Sequence, residues 1–228
     1  MKLSQHFEIL QGRRREFGLI LGFAIVAGLI LGFGWLTEEV LEGDTAAFDR
    51  TVIAAMRSDG NLADPIGPPW LEEFARDITA LGSYAFLGIL TVGIIGYFLL
   101  IGRRAQAALV AAAVIGGVLI SNLLKVVFDR ERPDLPTSVK VFTASFPSGH
   151  ATLSAISFLT LGALLAQTSP DPRVKAYFAV LAIILTVAVG TSRVYLGVHY
   201  ASDVLAGWCV GGAWALLCWT VARWLRRA

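Results

Sequence analysis

The sequence predicts an all-α polytopic membrane protein with six transmembrane helices and short amphipathic helices in its first outer loop. Three observations predict it. Of the 228 residues, 56% are hydrophobic and only 16% are charged, a balance too apolar for a soluble domain of this length. The apolar residues gather into six runs of spanning or near-spanning length. The charges gather between those runs, and the basic ones fall mostly on one side of them.

Residues 1–16 form a polar, basic leader that ends in Arg13, Arg14, Arg15 and Glu16, with His6 expected to be solvated. The run 17–36 holds 20 residues without a charge, enough to cross a bilayer. A cleaved signal peptide would have a shorter apolar core and a small-residue cleavage site after it, so this run is read as a retained signal-anchor helix. The section 37–80 is the longest polar one and is rich in acids, among them Glu38, Glu39, Asp44, Asp49, Asp59 and Asp64. Within it Phe48, Val52, Ile53 and Met56 share one face of a helix over 46–56. Pro65, Gly67, Pro68 and Pro69 break that helix, and Trp70, Leu71 and Phe74 resume an amphipathic one. The section is expected to lie at the membrane surface as a solvated connection, a lid over an access route being the alternative. Whether Asp44 and Asp49 close over a site is left open by the sequence.

Further spans are expected over 81–101, 105–128, 151–166, 177–191 and 204–224, the fourth reaching spanning length if it starts at Ser148. Gly116 and Gly117 mark a close helix contact. Cys209 and Cys218 are nine positions apart in the last span, roughly 13 Å along a helix and beyond disulfide reach, so both are packing residues. The chain reads as one domain: the leader 1–16, the outer-face segment 37–80 and a helical core 81–228.

Orientation follows from the basic residues. With six spans, Lys2 and the leader arginines, Arg103 with Arg104, Arg173 with Lys175, and Arg223, Arg226 and Arg227 all fall on one side. That side is the cytoplasm by the positive-inside rule, so both termini are cytoplasmic and the acidic section is outside. Lys125, Arg130, Arg132, Lys140 and Arg193 then sit on the outer side, against the rule. A positive cluster there needs another reason.

Three polar sets at the outer helix ends supply one. The first closes the third span and contains Lys125, still within apolar surroundings, and Arg132-Pro133. The second, Pro147-Ser148-Gly149-His150, suits a helix start with a preset φ, a capping hydroxyl and an unobstructed backbone, an arrangement that binds anions. The third runs from Ser192-Arg193 to His199 and Asp203. His199 and Asp203 are four apart, so on a helix they face the same way; Asp203 can hold one ring nitrogen and leave the other as a nucleophile. Lys125, Arg132 and Arg193 bring three positive charges suited to phosphate oxygens, and Ser148 and Gly149 add donors. His150 supplies a proton to a leaving group. Asp129, Arg130 and Glu131 read as a solvated turn, with Arg130 within reach of a diphosphate. Tyr195 and Tyr200 read as interfacial aromatics.

Lys125-x6-Arg132-Pro133, Pro147-Ser148-Gly149-His150 and Ser192-Arg193-x5-His199-x3-Asp203 together resemble the tripartite signature of the type 2 phosphatidic acid phosphatase superfamily. The resemblance implies a six-helix membrane core with a metal-independent site at the outer leaflet and no cofactor. It implies that His199 forms a phosphohistidine, His150 protonates the leaving group and Asp203 orients His199. Lys125, Arg132, Ser148, Gly149 and Arg193 would hold the phosphate. The expected activity is hydrolysis of a terminal phosphate from undecaprenyl diphosphate, phosphatidylglycerophosphate or phosphatidic acid at the outer face of a bacterial-type inner membrane. The alternatives are a lipid-to-lipid phosphotransferase using the same site and a non-catalytic lipid transporter. The partner is a lipid phosphate drawn from the bilayer; no nucleic acid and no obligate protein partner are expected.

Overall fold

The computed structural model describes residues 2–58, 60–135 and 143–225, with side chains from Glu16 onward. Asp59, Lys140, Arg226 and Arg227, and the side chains of Lys2, His6, Arg13, Arg14 and Arg15, lie outside the described residues. The described chain is mostly helical: α1 (Lys2–Glu42), α2 (Ala46–Ala55), a hairpin of β1 (Arg57–Ser58) and β2 (Asn61–Pro65), α3 (Pro69–Ala80), α4 (Tyr84–Leu100), α5 (Arg104–Phe128), α6 (Gly149–Ala166), α7 (Pro172–Tyr195) and α8 (Ala201–Leu225). Among the described residues five helices are long and apolar enough to cross a bilayer: α1 over Glu16–Glu42, α5, α6, α7 and α8. The pair α3 and α4, bent by 45° at its break, makes a sixth when taken as one span. Large apolar side chains such as Leu100 and Val126, 88% and 81% exposed, face outward, as lipid-contacting surface does.

Three element expectations change. No residue between Lys2 and Glu42 breaks the helix, so leader and first span are one continuous helix rather than two pieces. The helix of the second apolar run, α4, starts at Tyr84, because the Ser83 hydroxyl accepts from the Phe86 N–H at 3.1 Å and fixes the helix start there. The outer segment also holds an antiparallel hairpin that the helical pattern missed, with Arg57 opposite Pro65 and Ser58 opposite Asn61. Its strands are too short for a period-2 signal, and Ser58 Oγ donates to Asp64 Oδ2 at 2.9 Å across it.

In a bilayer, helix association depends on close packing rather than on burial from water. Small residues provide it here. A Cβ on Gly207 would lie 2.8 Å from the Ser148 carbonyl oxygen and 2.9 Å from the Ala151 Cβ, and one on Gly211 2.5 Å from the Thr152 carbonyl oxygen. The start of α8 therefore lies directly against the start of α6. Gly116 and Gly117 serve the same purpose as expected, meeting Trp214 and Ile156. α6 is the most enclosed span and packs against α5, α7 and α8, so the ends of α5 and α7 and the starts of α6 and α8 gather at one end of the bundle. Phe33 of α1 stacks on Phe146 at 6.0 Å, and Phe128 meets Phe146 edge-on at 5.3 Å. That cluster holds the segment before α6 against α1 and the end of α5. The apolar grooves of about 590 and 580 Å³, between α5 and α8 and among α4, α5 and α6, lie toward the other end.

Candidate active site

The turn between α7 and α8 is built first, because it carries His199. α7 ends in a Schellman arrangement: Gly197 N–H donates to the Val194 carbonyl at 2.9 Å and Val198 N–H to the Arg193 carbonyl at 3.1 Å. Gly197 has φ +70°, and a Cβ there would lie 2.4 Å from Arg57 Nη2, so both conformation and space require glycine. Tyr200, the residue before α8, has no side-chain acceptor for a capping role. Two carboxylates cap the helix instead. Asp203 Oδ2 accepts from the Tyr200 N–H at 2.9 Å, and Asp49 Oδ1, from α2, accepts from the Ser202 N–H at 2.9 Å.

His199 is buried in this turn, 2% exposed. Its Nδ1 lies 3.3 Å from Asp203 Oδ2 and 3.3 Å from Ser145 Oγ, and Ser145 Oγ donates a short hydrogen bond to the same carboxylate oxygen. Its Nε2 lies 3.1 Å from Arg132 Nη1. A guanidinium only donates, so Nε2 is the accepting nitrogen and the ring proton sits on Nδ1, facing Asp203. The lone pair is therefore on the nitrogen that faces the cations. Burial pushes the imidazole down to about 4; the Asp203 hydrogen bond and charge oppose this, while Arg132 and Arg193 add to it.

Arg132 lies against that nitrogen, and Lys125 and Arg193 stand in the same region. Arg132 donates from Nη1 to the Val198 carbonyl at 2.7 Å and from Nε to the Thr143 carbonyl at 2.8 Å. Lys125 Nζ donates to the Ala144 carbonyl at 2.6 Å, and Arg193 Nη1 to Thr79 Oγ1 of α3 at 2.9 Å. Ser148 N–H donates to the Asp203 carbonyl at 3.0 Å, tying the second motif to the third. A Cβ built on Gly149 would meet Lys125 Cε at 3.4 Å, which ties the second to the first. His150, in the first turn of α6, is backed by Gly82 at the α3–α4 corner: a Cβ there would lie 3.2 Å from the ring Cδ2 and 2.4 Å from Val189 Cγ1. Lys125, Arg132, Ser148, Gly149, His150, Arg193, His199 and Asp203 thus meet at one end of the bundle. Among the described residues no group of three or more His, Cys, Asp or Glu is arranged to hold a metal ion.

Several details depart from the sequence reading. Ser148 is the residue before α6, yet its hydroxyl makes no capping bond; it is buried without a hydrogen-bond partner, as is Arg193 Nε. Two buried donors without protein acceptors at one site fit a ligand that presents oxygens. Arg130 does not sit in a solvated turn: it donates to Asp203 Oδ1 at 2.6 Å, to Asp49 Oδ2 at 2.9 Å and to Ser202 Oγ at 2.8 Å, and its guanidinium lies 4.4 Å over the Tyr200 ring. Asp129 and Glu131, on either side of it, are exposed as expected. The outer segment is more than a solvated connection. It delivers Asp49, Thr79 and Arg57, whose Nη1 donates to the Tyr195 carbonyl at 2.8 Å, while Tyr195 donates its hydroxyl to the Ile66 carbonyl at 2.8 Å. Ser145, Asp49 and Thr79 carried no signal in the sequence, because each acts through a partner more than 50 positions away.

Known proteins can now be set beside this geometry. The model of the PAP2 superfamily matches residues 106–227. The chain is 37% identical over 168 residues to phosphatidylglycerophosphatase B of Bacillus subtilis, covering 73% of this chain and 82% of that protein. It is 32% identical over 181 residues to lipid A 1-phosphatase of Rhizobium etli, covering 67% and 74%. Decaprenylphosphoryl-5-phosphoribose phosphatase of Mycobacterium tuberculosis is 30% identical over 180 residues, covering 77% and 89%. The crystal structure of a transmembrane PAP2-type phosphatidylglycerolphosphate phosphatase from Bacillus subtilis superposes with a TM-score of 0.74 at 29% identity, covering 89% of this chain and 98% of that one. These relatives are lipid phosphatases, and the match spans the end of the bundle where the eight polar residues meet. This chain is a multi-pass membrane protein of the PAP2 superfamily.

Proposed function

We propose that this protein hydrolyses the terminal phosphate of a membrane lipid, undecaprenyl diphosphate, phosphatidylglycerophosphate or phosphatidic acid, through a phosphohistidine on His199. The observation that carries the reading is the His199 lone pair at Nε2, fixed by Asp203 behind it and faced by Arg132. As substrate arrives, Arg132 turns from Nε2 to the phosphate oxygens, joining Lys125, Arg193, Ser148 and the Gly149 N–H around them. Nε2 attacks phosphorus, the bond from phosphorus to the lipid oxygen breaks, and His150 in its imidazolium form gives that oxygen its proton. A water then attacks the phosphohistidine and gives a proton to His150. The phosphorus–nitrogen bond breaks, phosphate leaves and the pair returns to Nε2. The cations and helix-end donors supply the charge stabilisation, so the reaction needs neither metal nor cofactor.

The chain is taken as one domain, with leader, outer segment and helical core. With α3 and α4 counted as one bent span there are six, and the distribution of lysine and arginine puts both termini in the cytoplasm. The site then lies at the outer face of a bacterial-type inner membrane, where a lipid reaches it from within the bilayer.

Phosphate release by the purified protein in detergent, with EDTA present, tests the reading on the three lipids. Release that persists in EDTA supports it, and the order of turnover ranks the lipids. A phosphorylated lipid product in place of free phosphate would assign the transferase chemistry, and no turnover of any lipid would overturn the reading.

The burial of His199 has its own consequence. An NMR titration of its imidazole is expected to show a midpoint near 4, well below the ordinary value of about 6.5. The unfolded chain takes up this proton near 6.5 and the folded one only near 4, so protonation favours unfolding. The contribution is complete above about 6.5 and is lost as pH falls from there toward 4. A midpoint near 6.5 would mean that water reaches the ring.

A further inference from the structure

Asp203 is bound on both oxygens. Oδ2 accepts from Ser145 Oγ and the Tyr200 N–H and faces His199 Nδ1. Oδ1 is taken by Arg130 Nη1 at 2.6 Å. Arg130 in turn spans to Asp49 Oδ2 at 2.9 Å, and Asp49 holds Ser202 through both its N–H and its hydroxyl. Asp49 is 1% exposed, Asp203 0% and the Arg130 side chain 18%. A guanidinium with two carboxylates is a costly arrangement to bury. Other devices would suffice merely to cap α8 or to fill space. What the arrangement does achieve is to fix the carboxylate plane of Asp203. With Oδ1 pinned by a forked, permanently charged donor, Oδ2 has one direction left, toward Nδ1.

We infer that Arg130 and Asp49 are positioning residues for the His199–Asp203 pair, so that α2 of the outer segment is a working part of the site. The inference rests on the proposed reading of His199 as nucleophile. Arg130 acts through Asp203 and does not touch the phosphate, and Asp49 acts through Arg130 and Ser202. This gives the acidic outer segment a purpose: it delivers across the top of α8 the second carboxylate that holds the guanidinium in place.

The test compares wild type with Arg130→Ala, Arg130→Lys and Asp49→Asn on one lipid monophosphate and one lipid diphosphate. Loss of aim at the nucleophile is expected to lower kcat roughly 100-fold in Arg130→Ala, with KM within about twofold on both substrates. Arg130→Lys, which keeps the charge but not the fork, is expected to recover part of that loss, and Asp49→Asn to lower kcat roughly tenfold. A readout independent of turnover is available because the chain has only three histidines. In ¹⁵N-histidine spectra, the His199 ring is expected to be protonated at Nδ1 in wild type and to mix tautomers in Arg130→Ala and Asp49→Asn. If Arg130→Ala instead raises KM on the diphosphate alone, Arg130 is a substrate contact and the inference is overturned. Unchanged kcat and spectra in the variants, beside an active wild type, also overturn it. An inactive wild type would defeat the phosphatase reading, and the tautomer spectra would still decide the positioning role. Should Arg130→Ala fail to fold, Arg130→Lys and Asp49→Asn carry the test.

Discussion

Replacing His199 with alanine is expected to cut phosphate release by on the order of 10⁴-fold or more, the scale seen when a covalent nucleophile is removed. In the proposed mechanism the His199 ring nitrogen splits one displacement into two, so its removal takes away the covalent route. Asp203 is bonded on both oxygens, and Ser145 donates to it. The cage of Lys125, Arg132 and Arg193 survives the substitution, so residual turnover reflects water attacking a phosphate held in place. Alanine also removes the group that accepts from Arg132 Nη1, so His199→Gln is the companion variant: it offers Arg132 an oxygen but no nucleophile. Both variants should still be stabilised against heat by inorganic phosphate. Labelling with a radioactive lipid phosphate, quenched in alkaline detergent, should mark wild type with a base-stable, acid-labile phosphate and leave both variants unlabelled. Turnover of His199→Gln within tenfold of wild type would put the nucleophile elsewhere.

The helices and the motif residues were legible in sequence because their signals are local. A span is a run of apolar residues, and the spacing of His199 and Asp203 marks them as a pair, although His199 lies in the turn before α8 rather than on a helix with Asp203. Boundaries were less so: the Ser83 cap moved the helix start of the second apolar run to Tyr84, and an uninterrupted pattern fused leader and first span. What sequence could not give was pairing over distance. Asp49 looks like any acid in an acidic section, and only the fold puts it 2.9 Å from the Ser202 N–H, 153 positions away. Arg130 lies between two exposed acids and reads as solvated on that ground, yet its side chain turns inward to Asp203. Ser148 shows the opposite failure. Its residue type and place predict a cap, but the fold leaves its hydroxyl unbonded at the start of α6. In each case tertiary contact decided the role, and chain-local chemistry gave only the inventory.

His150→Ala is expected to lower turnover of phosphatidic acid by roughly 10²- to 10⁴-fold, the usual contribution of a general acid, while sparing a substrate with a good leaving group. The oxygen that departs sets the difference. From phosphatidic acid it is an alkoxide, which leaves poorly unless protonated as the bond breaks. From a lipid diphosphate it is a phosphate oxygen whose charge is already delocalised, and from p-nitrophenyl phosphate a phenolate. Those two need little help from an acid, so their loss in the first step should be about tenfold or less. The second step does not depend on the leaving group. If His150 also takes the proton from the attacking water, dephosphorylation of the enzyme becomes slow, and phosphohistidine should accumulate in His150→Ala with the activated substrate. Gly82 leaves the ring its place, since a Cβ there would lie 3.2 Å from His150 Cδ2. The measurement is a leaving-group series on wild type and His150→Ala, with alkaline-quench labelling at each point. Equal losses across the series would show that His150 shapes the site without donating the proton, and the acid would then have to be sought among groups such as Tyr84, whose hydroxyl lies 3.6 Å from the Cβ position of Gly149.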